Sequence, residues 1–242
     1  MKIHTSPFPD YYNKEFFKDK TVVTVDIFRA TTTILHLFSM GINQVILLDN
    51  EKKAEKVEYN NLLKIGERFG EKLKLFDFNN SATLLLKDRK KVEKHEKAVM
   101  FTTNGTKAAL KSSEAKINFV GAFNNISSII EKILKYKKET ELIINLAGDK
   151  GEISLEDTIF GGNLIYELLK NMVEFELSDY SLISLKIYES YLKNNKLIKS
   201  ARHYNRLIEL GFKDDIELAL KKDLFGFTPI IKKNKILSDD GE

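Results

Sequence analysis

The chain has no cysteine. That absence excludes disulfides, zinc–thiolate sites and a cysteine nucleophile. No apolar run in its 242 residues is long enough to cross a membrane. The opening, Met1-Lys2-Ile3-His4-Thr5-Ser6-Pro7, lacks the apolar centre of a signal peptide. A soluble, cytoplasmic protein is therefore expected. Lys and Arg number 39 against 35 Asp and Glu, a net charge of +4 spread in short Lys/Glu runs. No basic stripe stands out, so neither nucleic acid nor a membrane is an expected partner. Arginine is scarce: Arg29, Arg68, Arg89, Arg202 and Arg206 are the only five. Where lysine does the routine surface work, an arginine is the better candidate for bidentate anion recognition, although codon usage produces the same scarcity. There is no tandem repeat, linker or low-complexity block.

With 43% hydrophobic and 31% charged residues, the chain has enough apolar material for one large domain or two small lobes. The clearest pattern is at residues 21–38. Thr21-Val22-Val23-Thr24-Val25 is β-branched and reads as a buried strand. Ile34-Leu35-His36-Leu37-Phe38 reads as an apolar helix that ends at Gly41. Asp26, Arg29, Thr31, Thr32 and Thr33 fall where the strand gives way to the helix. Carboxyl ends of strands are where ligands bind in open α/β sheets, and helix N-termini suit anions. Arg29 and the threonines suit phosphate, and Asp26 suits a hard cation or a proton. The plainer alternative makes Asp26 or Thr31 a helix cap and Arg29 its ionic partner.

The same plan recurs. Ala98-Val99-Met100-Phe101-Thr102 is a strand, Thr103-Asn104-Gly105-Thr106 a turn, and Lys107 opens a helix. It is not a Walker loop, because Met100 stands where the first glycine belongs and no Ser or Thr follows Lys107. An ordinary Asn-Gly turn is the alternative. Further on, Ser154-Leu155-Glu156-Asp157 starts a helix through residue 169. Ser154 with Asp157 has the outline of a capping box, while two adjacent carboxylates also suit a metal or a proton.

Between these motifs, residues 1–5 read as an edge strand ended by Pro7 and Pro9. Strands are expected at 44–48, 72–76, 117–120 and 141–145. Helices are expected at 51–63, 82–90 and 126–136, with a loop at 66–70 and a polar turn at 77–81. Beyond residue 178 the pattern is helical at 180–192, 197–210 and 214–222, then a hairpin at 227–231 and 235–237, and a frayed 239–242. The alternation predicts an α/β fold with helices on both faces of the sheet, three layers in all, and a more helical last third. One domain over 1–242 is expected, with two lobes meeting near 145–155 left open.

The chain resembles the 2-phosphosulfolactate phosphatase family, known from coenzyme M biosynthesis. The matching motifs are Val25 to Thr33, Gly66-Glu67-Arg68-Phe69-Gly70, Asn80-Ser81, Thr102 to Thr106, Ala147-Gly148 with Ser154 to Asp157, and Gly211 with Asp214-Asp215, Asp223 and Pro229. They stand in family order over nearly the whole chain. The family's Gly-Asn-Ser-Pro turn is here Asn79-Asn80-Ser81-Ala82, and Leu146 stands where a Cys commonly precedes Ala-Gly. The first change bears on substrate identity more than on fold. The resemblance implies a magnesium-dependent phosphatase acting on a small acid phosphate, most directly 2-phosphosulfolactate.

The residues agree with that chemistry. A substrate carrying phosphate, carboxylate and sulfonate needs cations and N–H donors. Arg29, Arg68 and Lys107, with Thr31, Thr32, Ser81, Thr103, Gly105 and Thr106, are the expected substrate ligands. Asp26, Glu67, Glu156 and Asp157 are the carboxylates available to Mg2+. Asp26, Glu156 and Asn104 are the catalytic candidates, with Asn104 orienting the water or ester oxygen. Asp26 as nucleophile is the alternative, but a haloacid-dehalogenase-type site needs a second Asp two residues on, and Phe28 stands there, so direct water attack ranks ahead. His203 with Arg206 is a lesser candidate for lining the site, and the aromatic positions at 180–191 suit a core or homodimer face. A phosphatase of another small phospho-acid, or a phosphate-ester binder without catalysis, are the competing readings.

Overall fold

The computed structural model describes residues 1–135, 141–171 and 174–238. β1 (Lys2–Ser6) and β2 (Thr21–Val25) lead into α1 (Ala30–Ser39), then β3 (Gln44–Leu47), β4 (Leu63–Arg68) and β5 (Glu71–Lys72). Next come α2 (Ala82–Lys87), α3 (Arg89–Val92), β6 (Lys97–Phe101), α4 (Gly105–Lys111), β7 (Ile117–Gly121), α5 (Ile126–Lys135), β8 (Glu141–Leu146) and α6 (Leu155–Leu169). The last part holds β9 (Glu176–Leu177), α7 (Asp179–Lys193), α8 (Arg202–Glu209), α9 (Lys213–Ala219), β10 (Ile230–Lys232) and β11 (Lys235–Leu237). The strands form one mixed sheet in the order β5-β4-β6-β3-β11-β10-β7-β2-β8-β1-β9. Helices cover both faces, so the three-layer α/β reading and the more helical last third hold.

Alternation along the central strands sets the layers. Val23 and Val25 of β2 pack in one cluster with Ile129 of α5 and Ile159 and Phe160 of α6. Thr24 points the other way, to Ser112 Oγ at 3.1 Å and Asn118 Oδ1 at 2.9 Å. Asn145 of β8 likewise donates to the Ala108 carbonyl of α4 at 2.9 Å. A buried polar strip therefore seats α4 across β2 and β8, most of its groups paired by one another, with Asn145 Oδ1 the one left without a partner among the described residues. Beside it, Ala30, Ile34 and Leu37 of α1 join Ala109 of α4 in a second cluster. That cluster takes in Leu47, Met100, Val120, Ile231 and Ile236 from five strands.

Several local expectations give way to long-range pairing. Residues 51–63 are not an α-helix but two 3-10 turns, Glu51–Glu55 and Val57–Tyr59, before β4 begins at Leu63. The expected loop at 66–70 is largely the end of β4, which pairs in parallel with β6 from Leu63↔Ala98 to Gly66↔Phe101. Gly66 is a close-approach residue: a Cβ there would lie 2.6 Å from the Phe76 ring and 2.8 Å from the Phe101 carbonyl. Of the strand expected at 72–76, only Lys72 pairs, as the end of β5. β1 is not the edge, because β9 lies beyond it. The helix expected at 82–90 is divided at Asp88, and that at 197–210 is a 3-10 turn, Asn195–Ser200, and then α8. The hairpin of β10 and β11 lies inside the sheet, antiparallel to β7 and β3. Tyr136 and residues 239–242 lie outside the described residues.

His36 sits in the interior of α1, edge-on to the Phe225 ring at 4.9 Å, and its buried Nε2 has no partner among the described residues. Burial pushes its pKa down from 6.5 to about 4, against a smaller upward pull from Asp215. The unfolded chain takes up this proton near 6.5 and the folded chain only near 4. Between those values the unfolded state binds more protons, so stability falls as pH falls. The expected loss between pH 7 and pH 5 is roughly 2 kcal/mol from this residue. Urea unfolding at the two pH values measures it, and His36→Leu should remove that part of the slope. An unchanged slope in His36→Leu would show that His36 does not set it.

Candidate active site

β2 ends at Val25, and Asp26 follows in a loop that enters α1 at Arg29, across a cis peptide bond between Phe28 and Arg29. β6 ends at Phe101, and Thr102 to Asn104 lead into α4 at Gly105. Four strands separate β6 from β2 in the sheet order. In a flat sheet that spacing would hold the two loops roughly 24 Å apart. Instead a Cβ on Gly105 would lie 2.6 Å from Asp26 Oδ2 and 2.5 Å from the Ala30 Cβ. The first turns of α1 and α4 therefore pack directly against each other beside Asp26. Only glycine permits that contact.

The cleft at this junction is lined by Asp26, Arg29, Glu67, Asn104, His203 and Arg206, among others. It is narrow, about 10 Å³, room for about one water. Asp26 is buried, and one carboxylate oxygen accepts the Ala30 N–H at 3.3 Å. Burial lifts its pKa to about 7. His203 and the Ala30 hydrogen bond pull it down, and Glu67 and Glu156 push it up. Glu156, in the first turn of α6, shares a hydrogen bond with His203 Nδ1 through Oε1 at 2.8 Å, while its buried Oε2 has no partner among the described residues. Asp157 turns the other way. Its oxygens accept the N–H groups of Ile27 at 2.9 Å and Gly148 at 3.1 Å, tying the loop after β2 to the loop after β8. Burial, then Glu156 and Asp26, raise its pKa well above the ordinary carboxylate value.

A family model described as 2-phosphosulpholactate phosphatase matches residues 7–234. The chain belongs to that family. A protein of Clostridium botulinum (strain Eklund 17B / Type B), named probable 2-phosphosulfolactate phosphatase, is 33% identical over 241 residues, 98% of this chain and 99% of its own. One of the same name from Clostridium novyi (strain NT) is 37% identical over 226 residues, 92% and 94% of the two chains. Another from Caldanaerobacter subterraneus subsp. tengcongensis is 34% identical over 226 residues, 91% of each.

The family motifs thus converge, but many of their side chains serve the chain itself. Thr31 Oγ1 donates to the Asp26 carbonyl, Thr32 Oγ1 to that of Ile27, and Thr106 Oγ1 to that of Thr102. The doubled strand–turn–helix plan is present; Thr31, Thr32 and Thr106 lock its turns, and Thr103 lines the cleft. Glu67 accepts the N–H of Thr103 at 2.7 Å, that of Gly70 at 2.6 Å and the Thr103 hydroxyl at 3.2 Å. Glu67 and Asp157, expected as metal ligands, each accept loop amides with both oxygens, and Thr103, expected as a substrate ligand, is hydrogen-bonded to Glu67; Glu67 and Thr103 line the cleft. Among the described residues no group of three His, Asp or Glu side chains is placed to hold an ion. Ser81 is an N-cap: its hydroxyl accepts the Leu84 N–H and donates to Asp215 at 2.6 Å. Arg68 is exposed and pairs with Glu51, and Lys107 is exposed and pairs with Asp10. Neither lines the cleft. Asn104 uses both ends of its amide between loops, donating to Asp149 at 3.3 Å and accepting from the Lys150 N–H at 3.1 Å.

Arg29 is buried and stacked on Phe212 at 3.8 Å. It donates to Asp215 at 3.3 Å and to Asn79 at 3.4 Å. Asp215 also accepts the N–H and hydroxyl of Thr83, which makes it the hub joining α9, α2 and the Asp26 loop. Asp215 and Asp149 were not among the expected site residues, although both lie in family motifs or beside them. His203, Arg206 and Leu207 line the cleft from one face of α8. Their i, i+3, i+4 spacing was the readable signal.

Proposed function

We propose that the chain is a magnesium-dependent phosphatase of a small acidic phosphate monoester, with 2-phosphosulfolactate, giving sulfolactate and phosphate, as the first candidate. Family membership and the relatives' names support the substrate class. The observation that carries the metal is two buried carboxylates with oxygens to spare, Asp26 in the lining of the cleft and Glu156 directly behind its His203. Glu156 Oε2 is buried without a partner, and Asp26 has one oxygen that makes no hydrogen bond among the described residues. Mg2+ is commonly held by one or two carboxylates, with water and substrate phosphate oxygens completing its shell, so this donor set fits it. Asp26 and Glu156 would hold the ion, which supplies charge for the phosphoryl oxygens and a more acidic water.

The chain's own residues do the rest. His203 fixes the orientation of Glu156 through Nδ1. Asp157 sets the Asp26 loop against the Gly148 loop. Arg29, held from behind by Asp215, presents positive charge where phosphate would lie. No Asp stands two residues after Asp26 to protonate a leaving group. Phe28 occupies that place, so attack by water rather than by Asp26 is the reading we favour.

Phosphate release from a panel of small esters, with magnesium and with chelator, tests the proposal. Turnover should appear on phospho-acids with magnesium, vanish in chelator and return on adding the metal. Full activity in exhaustive chelator would remove magnesium from the scheme. Thermal stabilisation by an ester without any phosphate release would favour a non-catalytic binder.

A further inference from the structure

A phospho-acid carries a second anion beside its phosphate, and something in the cleft must meet it. Arg68 and Lys107 face away, in exposed ion pairs. Among the described residues the cleft is lined by two arginines, Arg29 and Arg206, and by His203. Arg29 is engaged by Asp215, Asn79 and the Phe212 ring at once. Arg206 differs. Both of its terminal nitrogens go to a single partner, Asp149, at 3.5 and 3.4 Å, and its buried Nε has no partner among the described residues. Asp149 also has the amide of Asn104 at 3.3 Å, so it would not be left bare if Arg206 turned from it.

We infer that Arg206 receives the carboxylate or sulfonate of the substrate and so sets the preference for phospho-acids over plain alkyl phosphates. This rests on the phosphatase reading above. A planar guanidinium with an unused donor matches a planar carboxylate or a sulfonate edge in a two-bond grip, which lysine cannot make. Its place on α8, one turn after His203, puts the acid receptor and the partner of Glu156 on one rigid element. Substrate acid on Arg206 and phosphate near Asp26 then fix the ester from both ends.

The test compares 2-phospholactate with isopropyl phosphate, which replaces the carboxylate by a methyl group. In Arg206→Gln, KM for 2-phospholactate should rise by about thirtyfold to a hundredfold with kcat changed much less, in keeping with the strength of charged hydrogen bonds. The preference for 2-phospholactate over isopropyl phosphate, as a ratio of kcat/KM, should collapse by the same factor. Arg206→Lys, which keeps the charge, should lose about tenfold. Equal losses on both esters, or an unchanged KM, would overturn the inference. Calorimetric Kd values for both esters on an Asp26→Asn background separate binding from turnover. A wild type that binds 2-phospholactate but releases no phosphate defeats the phosphatase reading. Arg206 is then judged by whether Arg206→Gln weakens that Kd selectively, and an unselective effect sinks it.

Discussion

Asp26→Asn is expected to lower phosphate release on the order of a thousandfold with the fold retained. The fold should survive because the asparagine Oδ1 can still accept the Ala30 N–H that Asp26 accepts now. The loss is expected because the replaced oxygen is the one without a hydrogen bond, 2.6 Å from where a Gly105 Cβ would lie. Steady-state kcat with circular dichroism checks both halves of the expectation. The rate alone does not say whether Asp26 holds the metal or attacks phosphorus. Trapping does: an aspartyl-phosphate adds phosphate mass to the peptide containing Asp26 after acid quench. No adduct is expected. A phosphorylated peptide formed at the turnover rate would make Asp26 the nucleophile while leaving the phosphatase assignment standing.

Arg29→Lys should cost at least about a hundredfold in kcat/KM, whereas Arg89→Lys should cost almost nothing. Lysine keeps the charge but cannot donate to Asp215 and Asn79 together while stacking on Phe212. Arg89 is exposed and pairs with Glu93 one turn along its helix. Arg29→Ala goes further, since it strands the buried Asp215 carboxylate and should destabilise the fold by about 3–5 kcal/mol. Kinetics beside urea unfolding keeps the effects apart. Equal effects of lysine at 29 and 89 would remove Arg29 from the site. A stability loss with intact kcat/KM would reduce it to a tether for Asp215.

What the sequence disclosed and what it hid follow from the range of the forces involved. β2 and α1 are legible because five β-branched or valine positions and an apolar helical run carry their own signal. β4 is hidden because Gly66 looks like a turn glycine, whereas the Phe76 ring and the Phe101 backbone are what exclude a side chain there. Asp26 and Glu156 are readable as carboxylates at the junctions of elements. That Glu156 meets His203 while its neighbour Asp157 turns to backbone amides is decided only when β8 is set beside β2. Arg29 has the same history: its partner Asp215 lies 186 positions along the chain. Anion-binding residue types were legible, but which of them were already spent on other parts of the chain was not.

The position of the final hairpin gives the active site an assembly order. Without residues 230–237, β5-β4-β6-β3 and β7-β2-β8-β1-β9 are two separate ribbons with no strand pairing between them among the described residues. Asp26 and Glu156 travel with the second ribbon, and Glu67 and Asn104 with the first. Residue 235 must find residue 46 across most of the chain, a slow, long-range closure. Until it does, β3 and β7 each expose an unpaired edge, which is a template for association with other chains. An intermediate rich in helix and strand therefore has no catalytic cleft, and recovery of activity should trail recovery of secondary structure when the protein refolds.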